Sequence, residues 1–138
     1  MRGTTRRPNQ VQELSAAGVE PVVGDPDLIA TIAPALEHVT VACILLGSVV
    51  GEEEAVRELH GPRLQMLLTR MLDSTVRGVM YEAAGAVAPE VLRTGSAVVR
   101  SMCESSRIPY ALLEADPSAH ESWLEQATLA TEALLEVD

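Results

Sequence analysis

The 138-residue sequence predicts an α/β domain in which a mainly parallel sheet lies between two layers of helices. Short apolar runs of strand length alternate with amphipathic stretches along the whole chain. The run over residues 39–46 is almost entirely apolar, as expected of a parallel strand that is covered on both faces. No repeat and no linker rich in Pro, Gly or Ser divides the chain, so residues 1–138 are expected to form a single domain.

The same pattern predicts the individual elements. Strands are expected over residues 19–23, 39–46, 76–81 and 110–114, and helices over residues 8–17, 26–36, 52–72, 90–105 and from 118 onward. Asp25 is expected to cap the second helix with Pro26 in its first turn, and His60-Gly61-Pro62 to divide the third. Ser118 and Glu121 are spaced as a capping box for the last helix. The inward side of that helix is predicted to carry Trp123, Leu124, Ala127, Leu134 and Leu135.

Composition and charge exclude several classes of function. The net charge is −10, and every charged residue after Arg107 is acidic. Aromatic residues are also few, so we do not expect a surface that binds nucleic acid. All ten Lys+Arg residues are arginines, which excludes Schiff-base chemistry and the lysine of a phosphate-binding P-loop. No apolar run approaches the ~20 residues that cross a bilayer, and no apolar stretch follows the basic opening residues. We therefore expect neither a membrane span nor a secretory signal, and a cytoplasmic location by default.

Cysteine and histidine spacing predicts no metal site. Cys43 and Cys103 fall inside a predicted strand and a predicted helix, which favours buried thiols over a disulfide or metal ligands. His38, His60 and His120 have no metal-ligand spacing, and each is interpreted as a surface or half-buried imidazole.

Three segments at predicted strand ends carry a more specific pattern. They are Gly3-Thr4-Thr5-Arg6-Arg7-Pro8, Gly18-Val19-Glu20-Pro21-Val22-Val23-Gly24-Asp25 and Val79-Met80-Tyr81-Glu82-Ala83-Ala84-Gly85-Ala86-Val87. In order and spacing they resemble the extended or atypical, epimerase-like branch of the NAD(P)-binding short-chain dehydrogenase/reductase superfamily. The resemblance covers nearly the full chain and implies a three-layer, Rossmann-like fold.

The resemblance also implies an N-terminally truncated domain. The family's glycine-rich phosphate loop follows its first strand, and this chain has no counterpart, since Met1 falls roughly where the second strand would begin. The missing loop would also be explained if the start codon were assigned too late or if the gene were a remnant.

NADP or NAD is the cofactor that the resemblance implies. In the family, a strand ending in Thr-Arg supplies an arginine to the 2′-phosphate of NADP, and Thr5, Arg6 and Arg7 match that place. Solvated charges near a chain end would account for the two arginines equally well.

Two further turns match cofactor-lining positions of the family. The family's Gly-Asp turn borders the adenine ring, which carries Gly24, Asp25 and Pro26 into that role, although Asp25 could simply cap its helix and both could hold. Later strand ends, where open α/β sheets hold ligands, contribute Leu46, Gly47, Ser48 and Ala83. A glycine such as Gly47 after a strand is more often only a turn.

The usual chemistry of the family is not expected. It needs a tyrosine with a lysine four positions later, whereas this chain has no lysine, and the corresponding helix reads Val91-Leu92-Arg93-Thr94-Gly95-Ser96. Glu82 is the candidate general base, with Tyr81 and His60 as companions that the sequence spacing does not bring together. A carboxylate that is solvated or caps an element is the alternative interpretation.

Two functions therefore stay open. The first is an NAD(P)-binding protein related to short-chain dehydrogenases and epimerases that lacks their Tyr/Lys catalysis. The second is an inert scaffold or regulatory protein that acts through protein contacts or as a homo-oligomer. A sheet without its opening strand favours the second, because unpaired backbone groups in its middle would recruit another strand.

Overall fold

The computed structural model describes residues 1–136, within which strands and helices alternate along the chain. The strands are β1 (Arg2–Thr5), β2 (Glu20–Val23), β3 (Val41–Ile44), β4 (Gly78–Glu82) and β5 (Tyr110–Leu113). The helices are α1 (Val11–Ala16), α2 (Ile29–Ile32), α3 (Glu53–Leu59), α4 (Pro62–Leu72), α5 (Pro89–Ser106) and α6 (His120–Glu136). Short 3-10 turns at Pro8–Gln10 and Ala33–Leu36 lie before α1 and after α2.

Every strand pairing is parallel, but the strands form two separate sheets. β1 pairs with β2 in a two-stranded sheet, and the other sheet has three strands in the order β3-β4-β5. Arg2 joins the amino ends of β1 and β3, because its Nη1 donates to the carbonyls of Ala35 (2.9 Å) and Glu37 (2.7 Å), just before β3. Arg2 therefore ties the start of β1 to the segment just before β3.

The core surrounds β4, whose five residues are all buried. One face of the larger sheet packs on α2, α4 and α5 through residues that include Ile32, Leu64 and Val99. The other face packs on α6, where Ala127 and Leu134 contact Met80 and Leu113. Helices therefore cover the sheet on two sides, which confirms the predicted three-layer α/β fold.

The helix breaks show which local predictions hold. The division at residues 60–62 is confirmed, since α3 ends at Leu59 and α4 begins at Pro62. A proline is tolerated there because an N–H in the first turn of a helix has no partner within the helix. The cap at Asp25 is wrong, because α2 begins only at Ile29. The Asp25 carboxylate instead accepts the Asp27 N–H at 2.9 Å and shapes a tight turn. The Ser118 capping box is not formed as predicted either, since α6 begins at His120 and the Ser118 N–H donates to Asp116.

Three side chains that were predicted to be buried are exposed. Cys103 is buried as expected, but Cys43 is exposed. On α6, Leu124 is 51% exposed and Leu135 57% exposed, whereas Ala127 and Leu134 are buried. Among residues 1–136, no helix is long and apolar enough to cross a membrane.

Gly95, the single glycine of α5, should be difficult to replace. A Cβ at this position would collide with the phenol of Tyr81, which is fully buried, so neither group can move aside cheaply. We expect Gly95→Ala to lower the free energy of unfolding by about 1–3 kcal/mol, the usual cost of overpacking. Urea titration followed by circular dichroism measures it. Gly51→Ala is the matched control, since its Cβ would make only an ordinary 3.7 Å contact with Val56 and its effect should be small.

Candidate functional site

The predicted cofactor-lining residues all follow the carboxyl ends of strands. Thr5-Arg6-Arg7 ends β1 and continues beyond it, residues 24–26 follow β2, residues 46–48 follow β3, and Ala83 follows β4. In parallel α/β sheets this is the side where ligands are held. The structure therefore places each of these residues at or just after the carboxyl end of a strand, and their cofactor-lining role stays a prediction.

Arg6 and Arg7 are exposed and their side chains are unengaged. Within residues 1–136 neither guanidinium forms an ion pair or a hydrogen bond, whereas Arg2 is held by Glu20 and by two carbonyls. Thr5 shapes their loop, since its hydroxyl donates to Gln10 at 2.6 Å and accepts the Arg7 N–H at 3.1 Å. Two arginines are thus presented at the end of β1 with all their donors available.

The turn after β2 is fixed to the end of β1. The Gly24 N–H donates to the Thr5 carbonyl at 2.9 Å, and Gly24 is buried against Ile32 and Thr31 of α2. The Asp25 N–H donates to the Thr31 hydroxyl at 2.8 Å. The two turns therefore form one rigid rim on the side of Arg6 and Arg7.

Glu82 joins three elements at the carboxyl ends of β3 and β4, which form a second rim. Its Oε1 accepts the Gly47 N–H at 2.9 Å, and its Oε2 accepts the indole N–H of Trp123 in α6 at 2.8 Å. The residue is 5% exposed, and no arginine or histidine forms an ion pair with it among the described residues. Both carboxylate oxygens are thus committed to holding the fold. Its role as a general base stays a prediction that this geometry does not favour.

Gly47 is a glycine because of its protein neighbours. A Cβ on Gly47 would collide with the Ala84 carbonyl and the Glu82 side chain. A Cβ on Gly85, whose φ is 151°, would collide in the same way with the Gly47 carbonyl. The Val87 N–H also donates to that carbonyl at 3.0 Å, and Ser48 Oγ accepts a neighbouring N–H at 3.1 Å. The backbone at Gly47 therefore closely approaches the loop after β4.

His60, which the sequence offered only as a possible companion of Glu82, contacts Tyr81 and not Glu82. It is 1% exposed, not at the surface or half-buried as predicted, because the break between α3 and α4 points its ring into the core. Its Nε2 lies 3.0 Å from the Leu46 carbonyl, which can only accept, so Nε2 carries the proton. Its Nδ1 then accepts the hydroxyl proton of Tyr81, 2.5 Å away. The only sequence signal was a histidine placed directly at a Gly-Pro helix break.

Burial sets the protonation of this pair. Burial lowers the pKa of His60, with smaller opposing effects from the Leu46 carbonyl and the Glu82 charge. Burial and the Glu82 charge raise the pKa of Tyr81 well above its ordinary value. Both groups are therefore neutral near pH 7, and Tyr81, which is 0% exposed, does not reach the rim. A catalytic role for Tyr81 stays a prediction without geometric support.

The comparisons with known proteins show the fold. No family model and no curated sequence matches the chain. Triphenylmethane reductase of Citrobacter sp. in complex with NADP(H) superposes with a TM-score of 0.61 at 17% identity, covering 82% of this chain and 39% of the reductase. An NADPH-dependent quinone oxidoreductase of Escherichia coli superposes with a TM-score of 0.54 at 20% identity. The superposition covers 83% of this chain and 37% of the oxidoreductase.

One of these neighbours is a reductase complexed with NADP(H), and the other is an NADPH-dependent oxidoreductase. The chain shares their fold, and the predicted resemblance is confirmed at the level of fold. It spans about two fifths of the length of each neighbour. Among the described residues, no cluster of His, Cys, Asp or Glu has a geometry that could hold a metal ion.

The His60 ring should make the fold sensitive to acid. The pKa of His60 is lower in the folded chain than its ordinary value of 6.5. Just below pH 6.5, His60 therefore binds a proton in the unfolded chain but stays neutral in the folded chain. Stability that is present above pH 6.5 is therefore lost as the pH falls further. We expect urea-derived unfolding free energies of the wild type to fall more steeply below this pH than those of His60→Gln. His38→Gln, at an exposed site, should follow the wild type; parallel curves for all three proteins would contradict the assignment.

Glu82→Gln should destabilise the rim although it preserves shape. The amide NH₂ would face one of two N–H donors, Gly47 or Trp123, and leave it unsatisfied in a buried place. We expect a loss of about 1–3 kcal/mol in a urea titration. Combining it with Trp123→Phe should cost less than the sum of the two single changes. Glu114→Gln, an exposed carboxylate just after β5, is the control and should have little effect.

Proposed function

We propose that the protein binds NADP in preference to NAD along the carboxyl side of its strands, and that Arg6 and Arg7 contact the adenosine 2′-phosphate. The observation that carries the proposal is the pair of unengaged guanidinium groups at the end of β1. A guanidinium donates two parallel hydrogen bonds to a phosphate, which makes it well suited to this group. The solved neighbours with the same fold include an NADP(H) complex and an NADPH-dependent enzyme.

The described residues fit one part of such a ligand and not another. The Arg6 and Arg7 side and the rigid turn at Gly24 suit a phosphorylated adenosine, because cationic donors there have no competing protein acceptor. Residues 1–136 do not supply a glycine-rich loop that leads from a strand into a helix and binds a pyrophosphate through its amides. Residues 1–136 would therefore hold the adenosine end of the ligand and not its pyrophosphate.

We further propose that the protein does not use the tyrosine–lysine chemistry of short-chain dehydrogenases. The chain has no lysine. Tyr81, near the end of β4, donates a hydrogen bond to His60 and is fully buried. A bound dinucleotide would supply hydride chemistry, while these residues only position the strand ends on which it would rest.

The arginines should decide between the two dinucleotides. The single tryptophan, Trp123, is attached to the rim through Glu82, and NADPH absorbs where tryptophan emits, so quenching of its emission reports binding. We expect Arg6→Ala with Arg7→Ala to weaken NADPH binding by about tenfold or more, the loss of a hydrogen bond to a charged group, and to leave NADH unchanged. The titration uses protein from the full coding sequence.

The control is Arg93→Ala. This arginine is exposed on α5 and forms no hydrogen bond or ion pair within the described residues, so its loss should change neither affinity. Equal NADPH and NADH affinities in the wild type, or an equal loss of both in the double variant, would contradict the proposed role of Arg6 and Arg7.

A further inference from the structure

The loop that carries Arg6 and Arg7 closes on itself through three hydrogen bonds. The Thr5 hydroxyl donates to Gln10 Oε1 at 2.6 Å and accepts the Arg7 N–H at 3.1 Å. The Gln10 N–H donates to the Arg7 carbonyl at 3.0 Å. We call this cycle of Thr5, Arg7 and Gln10 the loop ring. It joins the last residue of β1 to the residue just before α1.

The loop ring fixes the backbone of Arg7. Both the N–H and the carbonyl of Arg7 are bonded within the ring. Pro8 restricts the residue before it to extended backbone, and Arg7 accordingly has φ −105° and ψ 109°. Thr5 is anchored in turn, because its carbonyl accepts the Gly24 N–H at 2.9 Å. A ligand that pairs with the Arg7 guanidinium therefore meets a backbone that is already ordered, which lowers the entropic cost of binding.

The same ring determines which end of the Gln10 amide is free. The Thr5 hydroxyl has one proton to donate, and Oε1 is the end of the amide that can accept it. Nε2 donates no hydrogen bond within the described residues. No buried side-chain polar atom of residues 1–136 lacks a partner, so Nε2 reaches solvent. Gln10 therefore adds two free N–H donors to the loop that presents Arg6 and Arg7.

The loop contains donors without a carboxylate of its own. Residues 1–12 include no aspartate or glutamate. A phosphate group accepts charge-assisted hydrogen bonds from such donors, which are roughly twice as strong as those between neutral groups. A ribose hydroxyl in the same place forms only the weaker kind with an amide. A neutral amide at position 10 therefore favours a phosphorylated ribose over an unmodified one.

We propose that Gln10 is a specificity-determining residue for adenosine 2′-phosphates and that Thr5 positions it. Gln10 Nε2 donates to the 2′-phosphate together with Arg6 and Arg7. Thr5 does not contact the ligand and acts through Arg7 and Gln10. This inference rests on the proposed function, because it assigns two further roles within the same site.

A change of Gln10 to glutamate separates its two ends. In Gln10→Glu one carboxylate oxygen can still accept the Thr5 hydroxyl, whereas the Nε2 donor becomes an anionic acceptor. We expect the dissociation constant for NADPH to rise about tenfold or more, through the lost hydrogen bond and the added repulsion, and that for NADH to stay unchanged. Quenching of Trp123 emission measures both. Gln12→Glu, the same charge change at an exposed position of α1, should alter either constant by less than about twofold.

A pair of variants at Thr5 tests the positioning role. Thr5→Val preserves the shape of the side chain and removes the hydroxyl, so the loop ring opens. We expect NADPH affinity to fall about three- to tenfold, the loss of a neutral hydrogen bond, with NADH affinity unchanged. Thr5→Ser restores the hydroxyl and should bind NADPH within about twofold of the wild type. Urea midpoints followed by circular dichroism confirm that each variant is folded.

The outcomes distinguish this inference from the proposed function. Wild-type NADPH affinity in Gln10→Glu, together with weakened binding in Arg6→Ala with Arg7→Ala, would overturn the inference and leave the proposed function standing. An equal loss of NADPH and NADH affinity in Gln10→Glu and Thr5→Val would also overturn it, because the ring would then serve the fold alone. An NADPH preference that survives the loss of both arginines would overturn both proposals.

Discussion

His60 and Glu82 hold the carboxyl ends of β3 and β4 together by hydrogen bonds from opposite faces of the sheet. Tyr81 and Glu82 are consecutive residues of a strand, so their side chains point to opposite sides. Tyr81 donates a hydrogen bond to His60, which also donates to the Leu46 carbonyl. Glu82 accepts the N–H of Gly47. Each strand end is thus bound by two neighbouring residues. The position of α6 depends on the same circuit through Trp123.

This circuit explains why buried polar residues lie at the end of a hydrophobic strand. In a dry environment an unpaired carboxylate or imidazole would be costly, but all of these groups have partners, and no buried side-chain polar atom of the described residues is left without one. Small residues make the circuit possible. Gly95 leaves room for the Tyr81 phenol, and Gly47 and Gly85 let two loops approach at backbone distance. Polar pairing and glycine placement therefore act together to shape the rim.

The rest of the sheet is held differently. The unit of β1 and β2 has little buried surface of its own and is joined to the larger part through Arg2, the turn at Gly24 and the apolar side of α2. Its carboxyl end carries the two unengaged arginines, while the opposite half of the chain ends in an acidic helix. Charge is thus divided between two exposed arginines at the end of β1 and the acidic side chains of α6.

The sequence by itself determined the layered α/β fold, the break at residues 60–62 and the order of strands and turns along the chain. These features follow from periodicity and from proline and glycine chemistry, which act over a few neighbouring residues. Only the tertiary structure decided that His60 meets Tyr81, that Glu82 is fully engaged, and that Cys43 and Leu124 are exposed. Those outcomes depend on which elements cover one another, and residues 14 to 41 positions apart in the chain come into contact only when the strands align.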